Sequence, residues 1–175
     1  MLDSVPPLSA FETDASSPDA AAFRRGMSRV AAAVHIVTTD GPAGRAGFTA
    51  TAVTPVTDDP PSLLVCLNAE GRSATFVAAN GVFCVNALAA ADRDLADIFA
   101  GRRDLHGQDR FTAGAWSKLA TGAPALVSAV VSFDCRLTDA RLVATHHVMI
   151  GEVIAIRLGV ARPALLYEGR GYREL

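Results

Sequence analysis

The chain is expected to fold as a mainly β protein, an antiparallel barrel carrying a few peripheral helices. Three observations lead there. Segments rich in β-branched residues outnumber helical ones, turn residues such as Gly, Pro and Asn punctuate them, and strands and helices do not alternate as a parallel βαβ sheet requires. Half of the 175 residues are hydrophobic, which suits one domain with a substantial core.

The elements follow in order. Residues 1–19 are rich in Pro, Ser and Asp without a sustained period and read as a flexible N-terminal arm, leaving 20–175 as the folded domain. A helix is expected from an N-cap at Asp19 through Ala33, its apolar face made by Phe23, Met27 and Val30 packing into the core. Val34–Thr39 reads as a strand, 40–47 as a turn and 48–56 (FTATAVTPV) as its partner strand. The run PSLLVCLN is apolar nearly throughout, as in a strand buried on both faces. GRSATFVAAN reads as a short helix ended by Asn80-Gly81, and VFCVNAL as a strand. ADRDLADIFAG is a helix with Leu95, Ile98 and Phe99 on one face and Gly101 as its stop. Two long β-rich stretches and a final strand–turn–strand, PALLYEGRGYREL, complete the chain.

Several functions are excluded on composition and motif. Net charge is −2, with no basic face to hold nucleic acid. No apolar run reaches the ~18 residues that span a bilayer, and the start of the chain lacks the charged and apolar regions of a signal peptide, so a cytoplasmic protein is expected. Cys66, Cys84 and Cys135 are widely spaced and form no CxxC pair, which argues against a disulfide framework or a zinc site. No P-loop, GxSxG elbow or GxGxxG run is present. His146 and His147 are neighbours on one strand and point to opposite faces, a poor chelating pair; no metal site is expected.

Three polar features are unusual for a β core. Along Phe48–Thr54, alternation sets Thr49, Thr51 and Val53 on one face and Ala50, Ala52 and Thr54 on the other. Such small residues let a flat ring lie close to the backbone, although threonine favours strands in any case. At 68–75 a strand ends and a helix begins with free amides, two hydroxyls and Arg72, the arrangement that binds phosphate; Ser73 acting as a plain helix cap is the competing reading. Third, Ala144-Thr145-His146-His147 puts a histidine at the mouth of a strand.

Taken in order, the segments FRRGMSRVAAAVHIVTT, GFTATAVTPVTDDPPSLLVCLN, GRSATF, FCVNAL, THHVMIGEV and PALLYEGRGYREL resemble the short-chain flavin reductase family, the reductase components of two-component flavin-dependent monooxygenases. The resemblance runs from about Phe23 to Glu174. It implies an FMN-binding split β-barrel, a homodimer, and FAD or FMN in a groove near the subunit interface. It further implies that Thr49, Ala50, Thr51, Ala52, Val53 and Thr54 line the isoalloxazine, with Cys66, Leu67 and Asn68 on the adjoining strand. Ser73 and Thr75, with Arg72, would hold the flavin phosphate. His146 would stand where nicotinamide stacks, and Arg170 and Tyr172 belong to a C-terminal motif that closes over the flavin; Glu168 and Gly171 there depart from the family's bulkier residues.

The activity so implied is NAD(P)H-dependent reduction of flavin, with NADH preferred over NADPH and the reduced flavin passed to a partner monooxygenase. Hydride transfer between two cofactors asks the protein for stacking, alignment and exclusion of water rather than for a nucleophile or base. The alternatives are a split barrel that binds flavin or haem without turnover, and a relative of pyridoxine-phosphate oxidases, which a basic cluster would have supported. Fold alone does not separate them.

Overall fold

The computed structural model describes residues 19–175, so the expected N-terminal arm, apart from Asp19, lies outside the described residues. Helix α1 (Ala20–Ser28) begins where its cap predicts: the Asp19 carboxylate accepts the Ala22 N–H at 2.6 Å. It ends at Ser28 and does not reach Ala33, because Ala32–Ala33 is drawn out as strand β1 and pairs with the C-terminal hairpin. The Phe23–Met27–Val30 stripe was expected to pack into the core. It does not: these side chains are 64, 51 and 54 % exposed, and α1 buries no residue.

The remaining strands are β2 (His35–Thr39), β3 (Ala46–Ala50), β4 (Val53–Asp58), β5 (Pro61–Asn68), β6 (Val82–Ala87), β7 (Trp116–Lys118), β8 (Pro124–Leu126), β9 (Val131–Val143), β10 (His146–Leu158), β11 (Leu165–Glu168) and β12 (Gly171–Glu174). Helix α2 (Ser73–Asn80) follows β5, and α3 (Arg93–Phe99) follows β6. Both stop at glycines in the left-handed region, Gly81 at φ 68° and Gly101 at φ 75°, where a side chain would be disfavoured. Seven strands form one antiparallel sheet in the order β3-β2-β6-β9-β10-β5-β4; β1, β11 and β12 form a second sheet, and β7 with β8 a ribbon. The fold is mainly β, as expected.

The large sheet coils around an interior built from Val37, Leu63, Val65, Leu67, Phe83, Val85 and Met149, and Ala74 and Val77 of α2 pack into the same cluster. A second core, with Val34, Ile36, Leu88, Phe99, Phe111, Leu126 and Leu165, lies on the other face of β2 under α3 and the C-terminal hairpin. Burial on both faces therefore falls to β2 and β6. Strand β5, expected to be buried on both faces, alternates instead: Leu63, Val65 and Leu67 are inside, while Leu64 and Cys66 are partly exposed, because no second core covers its outer face.

The barrel does not close by hydrogen bonds. Strands β3 and β4 are the two edges of the sheet, and between them the chain bends at Thr51-Ala52, where the Val53 N–H donates to Thr51 O and the Cys66 N–H to Ala52 O. The expected single strand across 48–56 is thus two strands, and its face alternation does not continue past Ala50. Pro55 fits because β4 is an edge strand, where a missing N–H costs no ladder bond.

Among the described residues, buried side-chain polar atoms find hydrogen-bond partners with the exception of His35 Nδ1. Asn86 donates to Ile36 O and accepts from Leu126 N–H and Ser132 Oγ, and Asp134 accepts from both N–H and Oγ of Thr121. The three cysteines are free, and burial pushes the Cys135 thiol up to about 12 and that of Cys84 higher still.

Candidate functional site

A groove opens along the free edge of β3, facing the end of β5. Its floor is Phe48–Ala52; its walls are Cys66–Asn68 at the end of β5, Gly71 and Ser73 at the start of α2, Phe99 and Ala100 at the end of α3, and His146 at the start of β10. On the groove side β3 has no strand partner, so its outward N–H and C=O groups meet no ladder. Thr51 and Ala52 keep side-chain bulk low above that edge, while the Ala50 side chain packs into the barrel interior. A flat, polar-edged ring fits such a surface: the edge supplies donors and acceptors, and the small side chains allow close approach.

Of the expected positions, Thr49, Ala50, Thr51, Ala52, Cys66, Leu67, Asn68, Ser73 and His146 come together in this groove. Val53 packs against the barrel interior, and Thr54 is exposed on β4; neither is part of the lining. Thr49 Oγ1 is engaged, donating to Ala96 O at 2.7 Å, so it ties β3 to α3. His146 pairs opposite Asn68, is exposed, and its Nδ1 lies 2.9 Å from Thr145 Oγ1. His147 is partly buried and outside the lining.

The start of α2 differs from a simple capped helix. The N-cap is Arg72 in helical conformation, with no side-chain cap bond, and Ser73 is already the first helical residue. Among the described residues the Ser73 hydroxyl has no intramolecular partner, so it is free to serve a ligand. It faces both the groove and an adjoining cavity bounded by Arg45, Arg72, Phe76 and Arg110. Arg72 stacks over Phe76 at 5.8 Å and has no carboxylate partner among the described residues, whereas Arg45 pairs with Asp40 at 2.9 Å. Thr75 sits on the exposed side of the helix, away from both cavities.

At the other end, Val34, Ala100, Arg102, Tyr167 and Tyr172 extend the groove past Thr49–Thr51. The Tyr172 hydroxyl donates to Asp97 Oδ1 at 3.0 Å, Arg102 Nη1 donates to the same oxygen at 3.0 Å, and the Tyr167 ring meets Tyr172 edge-on at 5.6 Å. Burial, followed by the hydrogen bond to Asp97, pushes the Tyr172 hydroxyl up to about 12, so it stays protonated and donating. Asp97, Arg102 and Tyr167 escaped the reading of the sequence. Asp97 lies two residues after Leu95 on a helix that looks like ordinary packing, and no local signal joins it to a tyrosine 75 positions on. Arg170 lines a separate cleft beside α1.

Among the described residues there is no cluster of His, Cys, Asp and Glu that would hold a metal, and no helix long and apolar enough to cross a membrane.

Known proteins resemble this chain along most of its length. The family model described as flavin reductase like domain matches residues 27–175. A relative from Stutzerimonas stutzeri, named FMN reductase (NADH) RutF, is 51 % identical over 153 residues, covering 87 % of each chain. Among solved structures, BorF, the flavin reductase component of a bacterial two-component tryptophan halogenase, superimposes with a TM-score of 0.83 at 30 % identity, covering 90 % of this chain and 98 % of its own. The Streptomyces globisporus NADH:FAD oxidoreductase SgcE6 gives 0.84 at 27 % identity over 94 % and 98 %. With residues 27–175 matched by the family model and 51 % identity to a curated relative over 153 residues, this chain belongs to the flavin reductase like domain family.

Proposed function

We propose that the protein is an NADH-dependent flavin reductase that reduces FMN or FAD and passes the reduced flavin to a partner flavin-dependent monooxygenase, acting as a homodimer. The observation that carries this reading is the groove along β3: an unpaired strand edge under small residues, with a free serine hydroxyl and an unpaired arginine at one end. The names of the relatives support it, since the curated ones are NADH-dependent FMN reductases, and the solved ones include an NADH:FAD oxidoreductase and a two-component flavin reductase. NADH is preferred over NADPH in this reading.

The flavin supplies the redox chemistry, accepting hydride from the nicotinamide. The chain binds, orients and excludes water. The free edge of β3 holds the polar rim of the ring while Thr51 and Ala52 let it approach, and Cys66–Asn68 form the facing wall. Ser73 and Arg72 hold the phosphate at the start of α2, where the helix dipole also favours an anion. His146, at the rim, positions the nicotinamide so that its reactive carbon meets the ring. Direct hydride transfer between the two bound groups would ask no side chain in the groove to act as a base.

The test is NADH consumption by the purified chain with and without added FMN, FAD and riboflavin, repeated with NADPH. Flavin-dependent consumption is expected, with NADH faster than NADPH. Binding of flavin without turnover under every pairing would refute the enzymatic reading.

A further inference from the structure

The arginines around the groove divide by whether a carboxylate neutralises them. Arg45 pairs with Asp40, and Arg102 with Asp97 at 3.0 Å. Arg110 donates to the carbonyl of Leu105. Arg24 and Arg170 have no carboxylate within ion-pair distance among the described residues, and both line one cleft of about 510 Å³. This cleft opens onto Thr51 and Ala52, the same two residues that floor the flavin groove, and its other walls include Met27 and Tyr167.

The position of Arg170 is costly. Strands β11 and β12 are joined by Gly169 and Arg170 at φ 58° and 62°, with Glu168 opposite Gly171, the geometry of a two-residue hairpin turn with both central residues left-handed. The second such position suits Gly; an arginine there pays for its Cβ. The turn is pinned to α1 by the Gly169 N–H, which donates to Ser28 O at 2.7 Å. Arg24 lies one helical turn before Ser28 on the same face, so the pin holds the two guanidinium groups beside one cleft.

We infer that the Arg24–Arg170 cleft holds the diphosphate of the dinucleotide hydride donor, and that Arg170 serves the donor rather than the flavin. The inference rests on the flavin reductase reading. Two unneutralised guanidiniums match the two negative charges of a diphosphate. Met27 and Tyr167 offer an apolar and aromatic surface to the adenine. The flavin phosphate is held at the opposite end, by Ser73 and Arg72, so the two phosphorylated ligands do not compete for the same cations. A donor whose nicotinamide lies near His146 then leaves over Thr51-Ala52 into the cleft.

The test compares wild type with R24Q/R170Q, FMN being the acceptor and the donors being NADH and 1-benzyl-1,4-dihydronicotinamide, which carries no phosphate. The expected result is a KM for NADH raised about tenfold or more, unchanged turnover with the benzyl compound, and unchanged dissociation constants for FMN and FAD. R170G relieves the left-handed side chain, so it should keep or raise the melting temperature while still raising the KM for NADH, which a structural role does not do. Binding of ADP alone, followed by calorimetry, should be present in wild type and lost in R24Q/R170Q. An unchanged KM for NADH, an equal loss with both donors, or weakened FAD binding overturns the inference. If wild type reduces no flavin yet binds ADP through these arginines, the cleft stands as a diphosphate site and the reductase reading falls.

Discussion

Gly151 lies in the IGEV run of β10, and its replacement by alanine isolates what that run does. It is buried, opposite Leu63 on β5 and Leu137 on β9, and faces the barrel interior. A Cβ there would collide with Cζ of Phe83 and stand 2.6 Å from its Cε1 and 2.9 Å from Cβ of Cys135. Phe83 is 1 % exposed and packed on every side, so the ring cannot swing away. One added methyl in such a core costs about 1–3 kcal/mol. Alanine recovers about 0.5–1 kcal/mol of the backbone entropy that glycine gives up in a strand. The balance for Gly151→Ala is a loss of up to about 2.5 kcal/mol, or up to roughly 10 °C in melting temperature for a domain of this size.

The partner substitution makes the cause specific. Phe83→Leu alone removes ring volume and should cost about 1–2 kcal/mol by leaving a cavity. Combined with Gly151→Ala, the new methyl occupies part of that space. The double variant should therefore be more stable than the sum of the single losses by about 1 kcal/mol. Urea unfolding of the four proteins at one fixed concentration measures this, since an oligomer's stability depends on concentration. Strict additivity would show that the Phe83 ring is not what reserves this position for glycine.

Four further outcomes are expected. Asp97→Ala and Tyr172→Phe should each destabilise by about 1–2 kcal/mol and be non-additive in a double-mutant cycle, because both remove the same 3.0 Å hydrogen bond; additive losses would mean the C-terminal hairpin is held by packing alone. Ser73→Ala should weaken FMN about tenfold or more and leave riboflavin unchanged, as read by fluorescence titration, since only FMN carries the phosphate that the free hydroxyl serves. His146→Ala should raise the KM for NADH more than it weakens FMN; a collapse of flavin affinity would instead put His146 against the ring. His35 is half-buried with its Nδ1 buried and unpartnered, and desolvation lowers its pKa below 6.5 despite backbone hydrogen bonds that oppose the shift. The unfolded chain then binds the proton more readily than the native one, so stability present above pH 6.5 is lost as pH falls through 6.5 toward the native pKa. His35→Gln should flatten that dependence in thermal melts across the same window.

The barrel was legible in the sequence because its signals are local. Turn residues and β-branched runs set each strand within a few positions, and glycines 81 and 101 stop α2 and α3 where a left-handed residue is needed. What sequence reasoning missed depends on neighbours far along the chain. The apolar run of β5 reads like a strand covered on both faces, yet in the large sheet it is β2 and β6 that are buried at successive positions, while β5 alternates. The stripe on α1 has the period of a packed helix, but β1 turns the chain away at Ala32 and leaves the stripe in the open. Ser73 has the residue type of a cap, and the helix starts one residue too early for it to act as one. Of the groove, the threonine–alanine floor, the α2 start and His146 were visible as local oddities. Asp97, Arg102 and Tyr167 were not, since their meeting is made by docking α3 against a hairpin at the far end of the chain.

The bend at Thr51-Ala52 explains why this barrel has a site where it does. Had 48–56 run on as one strand, β3 would have continued into β4 in the same plane and its edge groups could have been satisfied by closure of the sheet. Bending there separates the two edges and leaves a row of unpaired N–H and C=O groups, which ordinarily invites aggregation. Here that row is recessed between the end of β5, the start of α2 and the end of α3. The same bend puts Thr51 and Ala52 at the junction of this groove and the Arg24–Arg170 cleft. A side chain larger than alanine at position 52 would narrow both at once. Ala52→Leu should therefore impair flavin binding and donor binding together, unlike any substitution confined to either end.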